Sequence, residues 1–269
     1  MAPQFRPPLR LHDRCQVRID RIGREALPVI VIDDFLDNAR SLIEIAAGGP
    51  GFRLSPEIYP GMRSPIPAPY PLALHGFLAG MIGEVFGLGA LGVIDSRAEF
   101  SVVTKRPDQV APNKRVPHTD TADPNFIVVL HYLCHPRHGG TSFYRHRATG
   151  FESAPGDRLP LYSQAIDAEL ALAEPADYID GPTEHFERIA HYEAAFNRAL
   201  VYRGVNVHAA HIARDYAYDP DPRTGRLTAN TLFWFGQPLS RPLRAPREAA
   251  PATLAPGPWI TTLPLPKRP

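Results

Sequence analysis

Hydrophobic and polar positions follow two periods along this chain, and the period changes near residue 90. Residues 14–32 hold two strand-like runs, Cys15–Ile19 and Pro28–Ile32, around a turn at Gly23. Asp33 and Asp34 are good N-cap residues for the segment FLDNARSLIEIAAGG. There Phe35, Leu36, Ala39, Leu42, Ile43 and Ala46 recur at helical spacing, and Gly48 and Gly49 end the run. The proline-rich stretch 50–71 reads as a long ordered loop. Residues 72–87 read as a second apolar helix that carries three internal glycines.

Strand signals dominate afterwards. Arg97–Thr104, Phe126–Leu133, Thr141–Tyr144, Ala199–Val207 and Leu227–Phe235 are rich in β-branched and aromatic residues, and turn formers bound them. A helical insert is predicted around Glu184–Asn197, and the chain after Gly236 is too proline-rich for regular structure. The predicted divisions are an arm with the first strand (1–27), a body (28–236) and a tail (237–269) pinned to the body through Trp259 and Ile260. Helices first and many short strands later give an α+β fold with a sandwich or barrel core.

Composition narrows the function classes. The 269 residues include 31 prolines, which argues against a helical bundle. A net charge of +1 offers no electrostatic footprint for nucleic acid. Two cysteines, Cys15 and Cys134, make no disulfide framework and suggest a reducing compartment. The first residues lack the apolar core of a secretory signal, and no apolar run is long enough to span a bilayer, so a cytoplasmic location is expected.

The candidate chemistry begins at VPHTDTADPNF. His118 and Asp120 are two residues apart, so in extended backbone they share a face. Alone, such a pair is as compatible with a hydrogen-bonded surface turn. Downstream, ALVYRGVNVHAAHI ends in His208 and His211, either of which could complete a set of two histidines and one carboxylate. That set leaves coordination positions open and suits non-haem Fe(II). His208 is favoured because it ends the unbroken run VYRGVNV, whereas His211, three residues on, should face the other side. In GRLTANTLFWF, Arg226 and Thr228 again share a face, and an arginine fork beside a hydroxyl suits a carboxylate. His131, His135, His138 and His146 crowd around Cys134, but Pro136, Gly139 and Gly140 fit a loop better than a zinc site.

In this order the motifs resemble the Fe(II)/2-oxoglutarate-dependent oxygenases, nearest the prolyl-hydroxylase-like branch and an uncharacterised bacterial group within that superfamily. VIVIDDFLDNARSLIEIAA resembles the branch's opening strand and helix, VVLHYLCHPRHGGTSFY its central strands, and GRLTANTLFWF its closing strand, over residues 28–236. The resemblance implies a double-stranded β-helix (a jelly roll, cupin-like) with the N-terminal helices packed on one sheet. It implies Fe(II) held by His118, Asp120 and His208, and 2-oxoglutarate held by Arg226 and Thr228, with Tyr132 as a further contact. It implies oxidation of a C–H bond by dioxygen, most simply hydroxylation, in an amino acid, peptide or other small molecule. The spacing of 18 residues from His208 to Arg226 is longer than the branch usually shows, and DYAYDPDPRTG is read as an extended hairpin. Two other readings stand beside this one: a cupin-like metalloenzyme that does not use 2-oxoglutarate, and a non-catalytic β-barrel binding module. Tyr59, Arg63, Tyr70 and the 146–186 stretch are expected to border the mouth of the site.

Overall fold

The computed structural model describes residues 9–55 and 59–237; the expected packing of the tail, including Trp259 and Ile260, lies outside them. Strands β1 (Gln16–Ile22) and β2 (Leu27–Asp33) form a hairpin, followed by helix α1 (Ala39–Gly48). Next come β3 (Arg53–Leu54), β4 (Gly61–Pro65), helix α2 (Pro69–Val85) and β5 (Gly92–Val103). The rest is β6 (Phe126–Tyr132), β7 (Gly139–His146), helix α3 (Arg158–Leu172), β8 (Phe186–Glu193), β9 (Ala199–Arg203), β10 (His208–Ile212) and β11 (Leu227–Gly236).

All pairings are antiparallel. One sheet has eight strands in the order β1-β2-β9-β6-β11-β5-β4-β3, and the other has three in the order β10-β7-β8. Alternation along β6 shows how they stack. Phe126, Val128, Leu130 and Tyr132 pack with Phe143 of β7 and Tyr192 of β8, between the sheets. Ile127, Val129 and Leu133 face the other way, onto Tyr70, Leu74, Leu78 and Ile82 of α2 and Leu42 of α1. Each of those aliphatic side chains contributes about 1.5–3 kcal/mol by leaving water. The outer face of the small sheet, at Tyr144, Phe186 and Ala209, is covered by Tyr162 and Ile166 of α3. The N-terminal helices α1 and α2 therefore pack together on the large sheet, and α3 covers the small one.

Several elements differ from the sequence reading. Helix α1 starts at Ala39, later than predicted, because Phe35 and Leu36 are tied by their backbone N–H groups to the Asn197 carbonyl (2.9 Å) and its Oδ1 (3.0 Å). The 50–71 loop contains β3 and β4. The predicted helix at 184–197 is strand β8, which β7 recruits along its whole length; the helix of this region is α3. The predicted strand 199–207 breaks after Arg203, at Gly204, where an added Cβ would stand 2.4 Å from the Phe126 ring. Residues 213–226 cross from the small sheet to the large one and are no hairpin. Among the described residues no helix is long and apolar enough to cross a membrane.

Candidate metal centre and anion site

The break at Gly204 sets up the site. His208 opens β10 and exchanges backbone hydrogen bonds with His118, whose N–H donates to the His208 carbonyl at 2.8 Å and whose carbonyl accepts from His208 at 2.9 Å. The Asp120 N–H donates to the Gly204 carbonyl at 2.7 Å. The segment before β6 is thus sewn onto the small sheet, and His118, Asp120 and His208 bring one donor atom each within 4.8 Å of the other two. His118 Nε2 lies 3.9 Å from Asp120 Oδ1, and His208 Nε2 lies 3.6 Å from Asp120 Oδ2.

The tautomer of His208 follows from its partner. Its Nδ1 lies 2.8 Å from the Asn206 carbonyl, which can only accept, so Nδ1 carries the hydrogen and Nε2 turns its lone pair toward Asp120. The ring is held by the Tyr202 ring, 5.0 Å away, and by Phe143. Desolvation, then the neighbouring His208, favours the neutral imidazole of His118, and Asp120 opposes this. Half of the His118 side chain is open to the cleft, which weakens the desolvation. Neutral imidazoles and a carboxylate are the donor forms a divalent metal needs.

His211 is directed elsewhere. It lies on the outer face of the small sheet with Nδ1 2.7 Å from Asp180 Oδ1 and its ring 4.7 Å from that of His191. Nor do the histidines around Cys134 assemble. Among the described residues His118, Asp120 and His208 form the one group of three or more His, Cys, Asp or Glu donors close enough to share an ion.

Across the gap between the sheets, Arg226 precedes β11 and points inward with Thr228, as their spacing predicts. Its Nη2 donates to the Gly140 carbonyl of β7 at 2.6 Å, and its backbone N–H donates to the Tyr216 hydroxyl at 2.8 Å. The residue is only 2% exposed, its Nε has no partner, and no carboxylate pairs with it among the described residues. Tyr132, Tyr216 and Cys134 surround it, yet burial pushes both phenols up to about 12 and the thiol up to about 11. All three are neutral near pH 7, so the guanidinium charge is uncompensated. An unpaired buried charge costs several kcal/mol, which an anion would recover.

Tyr132 does face this interior: its hydroxyl is 2.5 Å from Thr141 Oγ1 of β7, and its ring centroid is 5.9 Å from the Arg226 guanidinium carbon. Thr228 Oγ1 makes long contacts, 3.5 Å to the Ser101 carbonyl and 3.4 Å from Asn230 Nδ2. Tyr59 approaches both Thr228 and Arg226 from the proline-rich segment. Of the residues expected at the mouth, Tyr70 is instead fully buried behind the large sheet, where its hydroxyl meets His131 Nδ1 at 3.0 Å. Sequence reasoning missed the Asn206 and Gly140 carbonyls and the Tyr216 hydroxyl. Backbone acceptors leave no trace in residue type, and Tyr216 sits in a segment that lacks any period.

No curated protein is similar enough to the chain to be matched. Among solved structures, the chain is similar to the non-heme alpha ketoglutarate dependent carbocyclase SnoK from nogalamycin biosynthesis, at 14% identity and a TM-score of 0.45, over 79% of this chain and 83% of that one. It is similar to the epimerase SnoN of the same biosynthesis at 14% identity and a TM-score of 0.47, over 80% and 79%. It is similar to HygX from Streptomyces hygroscopicus, solved with nickel and 2-oxoglutarate bound, at 12% identity and a TM-score of 0.43, over 79% and 84%. A family model described as a family of unknown function, DUF6445, matches residues 13–233, which include both sheets but for the last residues of β11, the three helices and every residue of the site. The chain therefore belongs to the DUF6445 family.

Proposed function

We propose that the protein is an Fe(II)- and 2-oxoglutarate-dependent oxygenase built on a jelly roll, and that it hydroxylates a C–H bond of a small molecule or peptide. The strand orders support the fold: β5-β11-β6-β9 faces β10-β7-β8, with the His118–His208 bridge beginning a fourth strand beside β10. The observation that carries the function is the buried, uncompensated guanidinium of Arg226 facing the same interior as two histidines and one carboxylate.

The residues fit the metal. Two neutral imidazole nitrogens and a carboxylate oxygen converge, and His118 and Asp120 stay partly open to the cleft, leaving room for exogenous ligands. His118, Asp120 and His208 would hold the ion, which supplies redox chemistry with dioxygen that no side chain here can supply. The protein's own part is positional. Asn206 fixes the His208 ring through Nδ1. Arg226, with Thr228 and Tyr132, binds the distal carboxylate of 2-oxoglutarate and sets its reach toward the metal. Tyr202, Phe143 and Leu130 keep bulk water from the space between the sheets. A bidentate arginine clamp suits a carboxylate better than a point charge does.

The test is anaerobic addition of Fe(II) and then 2-oxoglutarate, followed by visible absorption and, after air is admitted, by succinate. A charge-transfer band that needs both additions, with stoichiometric succinate, is expected. Iron binding without any response to 2-oxoglutarate would overturn the reading in favour of a cupin-like metalloenzyme.

A further inference from the structure

The large sheet has eight strands and the small sheet three, and the inward face of β5 is incompletely covered at Asp95, Arg97 and Glu99, while Ser101 and Val103 farther along it are buried. Register shows what stands there. Arg63, Ser101, Thr228 and Tyr132 lie directly opposite one another across β4, β5, β11 and β6, and so share the inward face. One step along, Glu99 is opposite Asn230, and one further, Arg97 is opposite Leu232. Both steps keep the face, because side chains alternate with a period of two.

The resulting row is an ion triad with one carboxylate between two guanidinium groups. Arg63 Nη1 donates to Glu99 Oε2 at 2.9 Å, and Arg97 Nη2 donates to Glu99 Oε1 at 2.8 Å. Glu99 has thus committed one oxygen to each arginine and can neutralise only one of them. Arg63 Nε is buried without a partner, while its guanidinium carbon lies 4.9 Å over the Tyr59 ring. Asp95 shares the face farther out, but it accepts from the Ser96 N–H at 2.8 Å and pairs with no arginine among the described residues. Beside the row, Leu232, Val128 and Trp234 present an apolar inward surface.

We propose that this row is the substrate platform, and that the substrate is an amphipathic carboxylate whose anionic group docks on Arg63 and Arg97 while its apolar body lies along Leu232 and Trp234 toward the metal ligands. The assignment rests on the oxygenase reading, because Arg226 must already be occupied by 2-oxoglutarate for the row to act as a separate site. Carboxylate recognition by two guanidinium groups is directional and charge-assisted, whereas the corresponding amide loses the charge and keeps the shape.

The probes are phenylacetate, 3-phenylpropionate and N-acetyl-phenylalanine, each with its primary amide. The metal-loaded full-length protein is first titrated with 2-oxoglutarate and then, at saturation, with each probe, by calorimetry. Failure at the first titration counts against the oxygenase reading; failure at the second counts against the platform alone. At least one acid should bind about tenfold or more tighter than its amide. That preference should vanish in Arg97→Gln and Arg63→Gln and should grow in Glu99→Gln, which frees both arginines. Arg97 is exposed enough that its replacement leaves the fold intact, so the result does not depend on the Arg63 variant. Equal binding of acid and amide, a preference that survives both arginine variants, or no acid binding at millimolar concentration would each overturn the proposal.

Discussion

His208 and His211 sit three residues apart on β10 and face opposite sides of the small sheet, one toward Asp120 and the other toward Asp180. Replacing either one should therefore have different consequences. His118→Ala, Asp120→Ala and His208→Ala should each lower Fe(II) affinity by orders of magnitude, since each removes one of the three proposed ligands. His211→Ala should bind a full equivalent of iron. Anaerobic titration of the four variants checks this; loss of iron in His211→Ala with retention in His208→Ala would reverse the assignment.

Arg226→Ala should bind iron like the parent protein but need far more 2-oxoglutarate. Truncating one partner of a buried charge pair costs about 2–5 kcal/mol, or roughly thirty-fold and upward in affinity. Arg226→Lys should recover only part of the loss, because an ammonium cannot donate to Gly140 and to a carboxylate with the geometry of the fork. Succinate formation against 2-oxoglutarate concentration measures both. An unchanged requirement in Arg226→Ala would remove the clamp.

Gly204→Ala should damage fold and metal site together. An added Cβ would stand 2.4 Å from Phe126 Cδ1 and 3.2 Å from Asp120 Cβ, while the Gly204 carbonyl holds the Asp120 backbone. Overpacking of this kind costs about 1–3 kcal/mol. Urea denaturation should show that loss, and iron titration should show weakened binding in the fraction that remains folded.

The buried His131 should make the protein acid-sensitive. Burial holds it down to about 4 although Asn197 acts in the opposite direction. It is satisfied as a neutral ring: Nε2 donates to Asn197 Oδ1 at 3.1 Å and Nδ1 accepts from the Tyr70 hydroxyl at 3.0 Å. Above the unfolded value near 6.5, both states are neutral and the full stability is present. Between that value and about 4, only the unfolded chain takes up the proton, so stability falls with pH. A gap of that size corresponds to about 3 kcal/mol in all. Urea midpoints at pH 7 and pH 4.5 should fall more steeply in the parent than in His131→Gln; parallel slopes would show that His131 does not titrate this way.

Much of this architecture is legible in residue order because alternation and burial coincide there. FIVVLHY reads as a strand, and its two faces are the two cores. His118 with Asp120, and Arg226 with Thr228, are legible because a spacing of two puts both side chains on one face wherever the backbone is extended. FERIAHYE is not legible: its mixture of charged and small residues matches either period, and only pairing with β7 decides it. His208 lies beside His118 and Asp120 for a reason other than its place at the end of an apolar run. It begins a strand on the small sheet and does not end one on the large sheet, and what separates the two is the lack of room for a side chain at Gly204. Tyr59 and Tyr216 reach Arg226 from aperiodic segments, so their approach is a product of tertiary structure alone.

The unequal widths of the two sheets divide the molecule's tolerance to change. Where the three-stranded sheet covers the larger one, inward residues meet counterparts overhead, as Tyr132 touches Thr141, and substitution there disturbs the candidate site and the core at once. At Arg97 and Glu99 of β5 that cover is lacking, and the two can be exchanged for other residues at the cost of only their own ion pairs. A lineage built on this frame can therefore alter what it admits by editing one open edge, while the His118, Asp120 and His208 cluster and the Arg226 pocket stay under a constraint that edge does not share.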